Sequence, residues 1–168
     1  MEVVVKASMN TRCLALIGAF CIGLILAPLA VAQQEIYRPP LGDMMSAIQA
    51  RHIKLWFAGK FGNWDLAAKF GNWDLAAYEV GEIRANLENA ANLYRGIPAE
   101  LVTNTADPIE AIRDGIEAKD SAKFAKAYGD LTAACNACHS GIGRGFIVIR
   151  VPTISPFTDQ SFAPPQPQ

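Results

Sequence analysis

Apolar residues recur at steps of three and four in four separate stretches of the chain, the spacing that keeps them on one face of an α-helix. The first stripe is Met45, Ile48, His52, Leu55 and Gly59, with Gly42 and Asp43 as its start and Tyr37 to Pro40 as an extended lead-in. The second is Trp73, Ala76, Val80, Ile83, Leu87, Ala90 and Tyr94, about six turns of helix that stop before Gly96 and Pro98. Asp107 and Pro108 pair a cap with a residue whose missing N–H costs nothing in a first turn, and Ile109, Ile112 and Ile116 give a short third helix its face. The fourth helix begins near Asp120 or Ser121 and carries Phe124, Tyr128, Leu131, Cys135 and Cys138 on one side. Four amphipathic helices predict an all-α fold, a four-helix bundle over 42–145.

Beyond the fourth stripe the pattern changes. Gly141, Gly143 and Gly145 precede Phe146, Ile147, Val148, Ile149 and Val151, a short β-prone run, and the chain ends in a Pro/Gln tail. Residues 146–168 are expected to be extended, with disorder from about Ala163. Between the first two helices KFGNWDLAA occurs twice without change, at 60–68 and 69–77. Nine residues inserted into a continuous helix would rotate everything downstream by about 900°, half a turn beyond two full ones, and would turn its core face outward. The copy therefore belongs in the connection. The second copy should start the next helix with Asn72 as cap, and the first should make a short helical turn around Trp64 to Ala68.

The amino terminus does not fit the bundle pattern. Lys6 and Arg12 precede an apolar stretch from Cys13 to Leu29, and Ala30 and Ala32 supply the small residues a signal peptidase accepts. Residues 1–32 read as a secretory signal peptide cleaved after Ala32, which makes 33–41 the lead-in of the mature chain and places the protein in the periplasm. An uncleaved membrane anchor is the competing reading, and Met9 is a cleaner start than Met1. After cleavage no stable membrane insertion is expected. The whole chain has 168 residues with 15 basic and 16 acidic side chains, and it shows no Lys/Arg run, so nucleic acid is excluded as a partner. Cleavage also removes Cys13 and Cys21. The two cysteines left, Cys135 and Cys138, cannot make a disulfide framework.

Those two cysteines belong to Cys135-Asn136-Ala137-Cys138-His139, the C-x-x-C-H signature of covalent haem attachment. On a helix, residues three and four apart share a face, so one turn can offer two thiols to the haem vinyl groups and an imidazole to the iron. The prediction is one covalent haem c, with thioether links at Cys135 and Cys138 and His139 as proximal iron ligand. Zinc is a weaker reading, because it wants four ligands and the mature chain offers two Cys and two widely separated His. A thioredoxin-like dithiol would follow a strand and open a helix, whereas this pair ends a helical stripe.

The stretch AKDSAKFAKAYGDLTAACNACH, residues 118–139, resembles the haem-binding helix of the cytochrome c-prime family, class II c-type cytochromes. The resemblance spans roughly 42–141 and is specific at Cys135, Cys138 and His139. It implies an antiparallel four-helix bundle with haem between helices, the first helix covering the distal side of the iron. The chain departs from the family in its short third helix, its duplication and its Gly-rich segment and tail. The first helix offers Met44, Met45 and His52. Met45 and His52 point the same way but lie about 10 Å apart along the axis, so only one can stand level with the iron. In an antiparallel pair the carboxyl end of the fourth helix faces the start of the first, which favours Met45 as distal ligand, with His52 the less favoured alternative. Arg51, Arg144 and Arg150 are candidates for pairing with haem propionates.

Two functions follow from the resemblance. The first is a periplasmic mono-haem cytochrome that carries single electrons to and from redox partner proteins; the alternative is a five-coordinate haem protein that binds nitric oxide or carbon monoxide. A homodimer is left open. No enzymatic role is expected, because His52 is the one acid/base group on the presumed distal face.

Overall fold

A computed structural model describes residues 37–60 and 71–164. The signal peptide expected at 1–32 and the helical turn expected at Trp64 to Ala68 both lie outside those residues. Of the two compact units, Met1–Tyr37 and Arg38–Gln168, the second carries every helix of the described residues. They are α1 (Leu41–Gly59), α2 (Trp73–Leu93), α3 (Ala99–Thr103), α4 (Ala106–Glu117) and α5 (Ser121–Gly141). The described residues are thus all-helical with no strand, compatible with a helical bundle. None of these helices is long and apolar enough to cross a membrane.

Local chemistry sets the helix ends. At α2 the Asn72 side chain accepts a hydrogen bond from the Leu75 N–H at 3.1 Å, as expected of a cap that begins in the second copy of the repeat. At α5 Asp120 accepts from the N–H groups of Ala122 and Lys123, which holds its carboxyl below its ordinary range. The expected start at Asp107 and Pro108 is corrected. The helix α4 opens at Ala106, with both residues already in its first turn, because the preceding short α3 delivers the chain in near-helical conformation through Asn104 and Thr105. That extra turn went unread because Leu101 and Val102 are too few to make a stripe. The first helix, α1, likewise starts one residue before the expected Gly42, at Leu41 behind Pro40, with Asp43 in the first turn.

The core follows most of the predicted stripes, although Leu87, Tyr94, Cys135 and Cys138 are only partly buried. On α1 the buried residues are Met44, Ile48, His52, Leu55, Ala58 and Gly59, so Met44 rather than Met45 holds the buried position and packs with Ala90 and Ile97 in a small cluster of its own. On α2 a charged residue, Glu79, joins Trp73, Ala76, Val80 and Ile83 inside. Arg51 meets it at 3.1 Å and meets Glu82 at 2.9 Å, which ties α1 to α2 and offsets the cost of burying the carboxylate. Phe124 is the hub of the main core. A Cβ at Gly59 would stand 2.3 Å from the Phe124 ring, and one at Gly115 would stand 2.8 Å from the Phe124 backbone nitrogen. The α4–α5 corner closes with the Asp120 N–H on the Gly115 carbonyl and Lys119 in the left-handed region, a helix stop that usually takes glycine.

Contact order along the helices fixes their directions. Phe124 packs at Gly59 and Trp56, Tyr128 and Thr132 at His52, so α5 runs antiparallel to α1; Arg51 pairing with Glu79 and Glu82 and the Asn72 N–H on the Ala58 carbonyl do the same for α2. After α5 the β-prone run makes no strand. The Ile147 N–H donates to the Arg144 carbonyl at 2.8 Å, residues 147–152 have no regular structure, and the chain continues as an irregular segment along the bundle. Phe162 is buried in the main core against Phe57, Phe157 lies under Lys54, and the Ala163 carbonyl accepts from the Asn72 side chain at 3.1 Å.

Candidate functional site

The antiparallel pairing of α1 and α5 brings the last two turns of α5 beside the first three of α1. Between them lies a cavity of about 510 Å³, of ordinary size for a cofactor site. Its lining includes the five residues read from the sequence as haem links and candidate iron ligands: Met45, His52, Cys135, Cys138 and His139. Most of the remaining wall is aliphatic, from Leu41, Ile48, Leu87, Ile97 and Leu101 across to Ile142, Ile147 and Ile149 of the segment after α5. Of the three arginines, only Arg144 reaches this lining. Arg51 is held on the α1–α2 seam by Glu79 and Glu82 and lies over the Tyr78 ring, and Arg150 is exposed away from the cavity.

The two candidate distal residues differ in what they have free. Met45 is half-buried at the cavity wall, while Met44 has turned into the core cluster with Ala90. His52 is 3 % exposed and both ring nitrogens are already engaged, Nε2 with Thr132 Oγ1 at 2.9 Å and Nδ1 with the Tyr128 hydroxyl at 2.7 Å. Those hydroxyls also reach backbone carbonyls, Tyr128 that of His52 and Thr132 that of Tyr128, each at 2.8 Å. The network is closed upon itself, and burial pushes the imidazole pKa down to about 4. The ring is therefore neutral at ordinary pH and built into the core between α1 and α5, with the Tyr128 ring tilted against it at 4.4 Å between centroids.

His139 has the opposite character. Its Nδ1 lies 2.9 Å from the carbonyl oxygen of Ile147, which can only accept, so Nδ1 carries a proton and in the neutral ring Nε2 keeps the lone pair. A partner on one ring nitrogen that leaves the other unprotonated is how metal-binding histidines are usually oriented. Cys135 and Cys138 are free thiols. Burial, reinforced by the neighbouring Cys138, pushes the Cys135 pKa up to about 11, and burial raises that of Cys138 as well. A redox dithiol needs a stabilised thiolate, and this site destabilises one. No cluster of three or more His, Cys, Asp or Glu able to hold a bare metal ion occurs among the described residues.

The donor set therefore suits haem better than the other groups these residues could hold. Two protonated thiols one helical turn apart, an imidazole with Nε2 available, aliphatic walls and an exposed arginine at the cavity match its vinyl groups, iron, porphyrin faces and propionates respectively. Sequence reasoning did not find Thr132 and Tyr128 as partners of His52, nor Asn136, which holds Ile149 to α5, nor the isoleucines that wall the cavity. Ile48 lay on the first stripe and Ile147 and Ile149 in the β-prone run, but neither pattern announced a shared cavity. Compared with known proteins, the chain matches no family model, no curated protein and no solved structure.

Proposed function

We propose that this chain is an exported c-type cytochrome: an antiparallel four-helix bundle that holds one covalent haem through Cys135, Cys138 and His139 and carries single electrons between redox proteins in the periplasm. The observation that carries the reading is the convergence of the C-x-x-C-H motif on one aliphatic cavity with His139 Nδ1 already donating to Ile147, so that Nε2 is the ligand atom available. Bound there, the haem would supply one-electron redox chemistry at its iron. The chain's own residues do the rest. Cys135 and Cys138 anchor the group, the aliphatic wall excludes water, Arg144 offers a guanidinium to a propionate, and Met45 offers a thioether as distal ligand. His52 is the weaker distal candidate, because binding a metal would break its bond to Thr132 or Tyr128. The signal peptide read at 1–32 supports export.

The test is haem that stays on the chain through a denaturing gel and as a mass adduct, lost when Cys135 and Cys138 are changed to alanine. A wild-type chain matured with haem-attachment machinery that carries no adduct refutes the proposal. In the loaded protein Met45→Ala should abolish the sulfur-to-iron charge-transfer band of the oxidised form. A high-spin wild-type spectrum that responds to carbon monoxide would replace electron transfer with gas binding.

A further inference from the structure

The middle of the C-x-x-C motif does something that haem attachment does not ask of it. Asn136 uses both ends of its side-chain amide on one residue of the following segment: the Ile149 N–H donates to Oδ1 at 2.8 Å, and Nδ2 donates to the Ile149 carbonyl at 2.9 Å. The amide thereby stands where a neighbouring strand's backbone would stand in a sheet. Residues two apart in an extended chain present N–H and C=O groups to the same edge. Two residues before Ile149, that edge carries the Ile147 carbonyl, which receives the His139 Nδ1–H at 2.9 Å.

The two anchor points run in opposite senses. Asn136 and His139 lie one turn apart on α5, about 4.5 Å along its axis, and they meet Ile149 and Ile147, whose two-residue separation spans at most about 6.6 Å. The difference is within the reach of two side chains, and the order is that of an antiparallel pair. The chain reverses to make this pairing at Gly143, whose φ of 72° is left-handed, with the Gly143 N–H on the Ser140 carbonyl and the Arg144 N–H on that of His139. Ile147 and Ile149 also line the cavity. The segment is a strap over the end of α5, and one side chain sets its register.

We propose that Asn136 is a positioning residue for His139: by clamping Ile149 it holds the Ile147 carbonyl against His139 Nδ1, which selects the imidazole tautomer with its lone pair on Nε2. The consequence for iron binding rests on the cytochrome reading; the tautomer itself is a property of the chain with or without haem. Without the clamp, the ordinary preference of a solvated imidazole for its proton on Nε2 returns, and the nitrogen needed as ligand is blocked in most molecules.

The experiment is ring nitrogen NMR on the full chain labelled at histidine, haem-free, at a pH where the ring is neutral, together with amide hydrogen exchange at Ile149. The wild type should show His139 protonated on Nδ1. In Asn136→Ala the Nε2-protonated form should become the majority and exchange at Ile149 should accelerate at least tenfold, while Asn136→Asp, which keeps the acceptor and loses the donor, should fall between. Ile149→Pro removes the N–H donor from outside the helix and should give the alanine result, which keeps the test alive if a change within α5 prevents folding. Phe162→Ala loosens the far end of the tail and should leave the tautomer unchanged. Faster exchange at Ile149 with His139 still protonated on Nδ1 would overturn the proposal, leaving Asn136 as an anchor alone. Failure of the wild type to take up covalent haem would overturn the cytochrome reading and leave this measurement intact.

Discussion

Acid should destabilise the bundle through His52. The imidazole is buried between α1 and α5, and burial lowers its pKa from the ordinary 6.5 to about 4. As pH falls, the unfolded chain takes up this proton first, so the contribution of neutral His52 is fully present above about pH 6.5, declines between about 6.5 and 4, and changes no further below. The difference between the two pKa values corresponds to about 3 kcal/mol of stability. That is an upper bound. The Tyr128 and Thr132 hydroxyls can turn their protons to the backbone carbonyls of His52 and Tyr128 and accept from a protonated ring, which would ease its burial. The control is His52→Phe, which removes the titration while Tyr128 and Thr132 keep their carbonyl acceptors. Urea unfolding followed by circular dichroism across this pH range gives the comparison. The wild type should lose 1 kcal/mol or more, up to about 3 kcal/mol, relative to the variant. Parallel pH profiles would refute the neutral, buried imidazole.

Three further changes test the packing. Gly115→Ala should cost about 1 to 3 kcal/mol, because its new Cβ meets the Phe124 backbone nitrogen, which cannot swing aside as a side chain can; an unchanged urea midpoint would deny that close approach. Asn72→Ala removes the α2 cap and the tether to Ala163, and a loss of about 1 kcal/mol is expected in the same assay, with no loss counting against the cap. Phe162→Ala should leave helicity intact while making residues 150–163 sensitive to limited proteolysis. Equal cleavage of wild type and variant would mean that Phe162 does not hold the tail.

The candidate site was largely legible before any coordinates. Cys135, Cys138 and His139 are adjacent in sequence, and a helix is a local structure, so their shared face follows from spacing alone. Met45 and His52 were found because helical periodicity also fixes which residues of α1 point together. Three features escaped this logic. Met44 and Met45 are neighbours 100° apart on the helix, and which of them enters the core depended on packing against Ala90 and Ile97, which no local rule supplies. Arg51 read as a candidate for a haem propionate because nothing in its own segment announced the buried Glu79 28 residues away. The run at 146–151 had strand propensity but found side chains of α5 instead of a strand to pair with.

By itself the sequence determined the local facts: helix faces, the caps at Asn72 and Asp120, and a motif whose two thiols and imidazole fall within one turn. These depend on residues three or four apart, where backbone geometry leaves little choice. Only the tertiary structure decided which nitrogen of His139 carries the proton, that both nitrogens of His52 are engaged, and that Arg144 rather than Arg51 faces the cavity. Each of those turns on a partner between 8 and 80 residues distant, and hydrogen bonds and ion pairs have a reach of a few ångströms. The chain must fold before such groups meet.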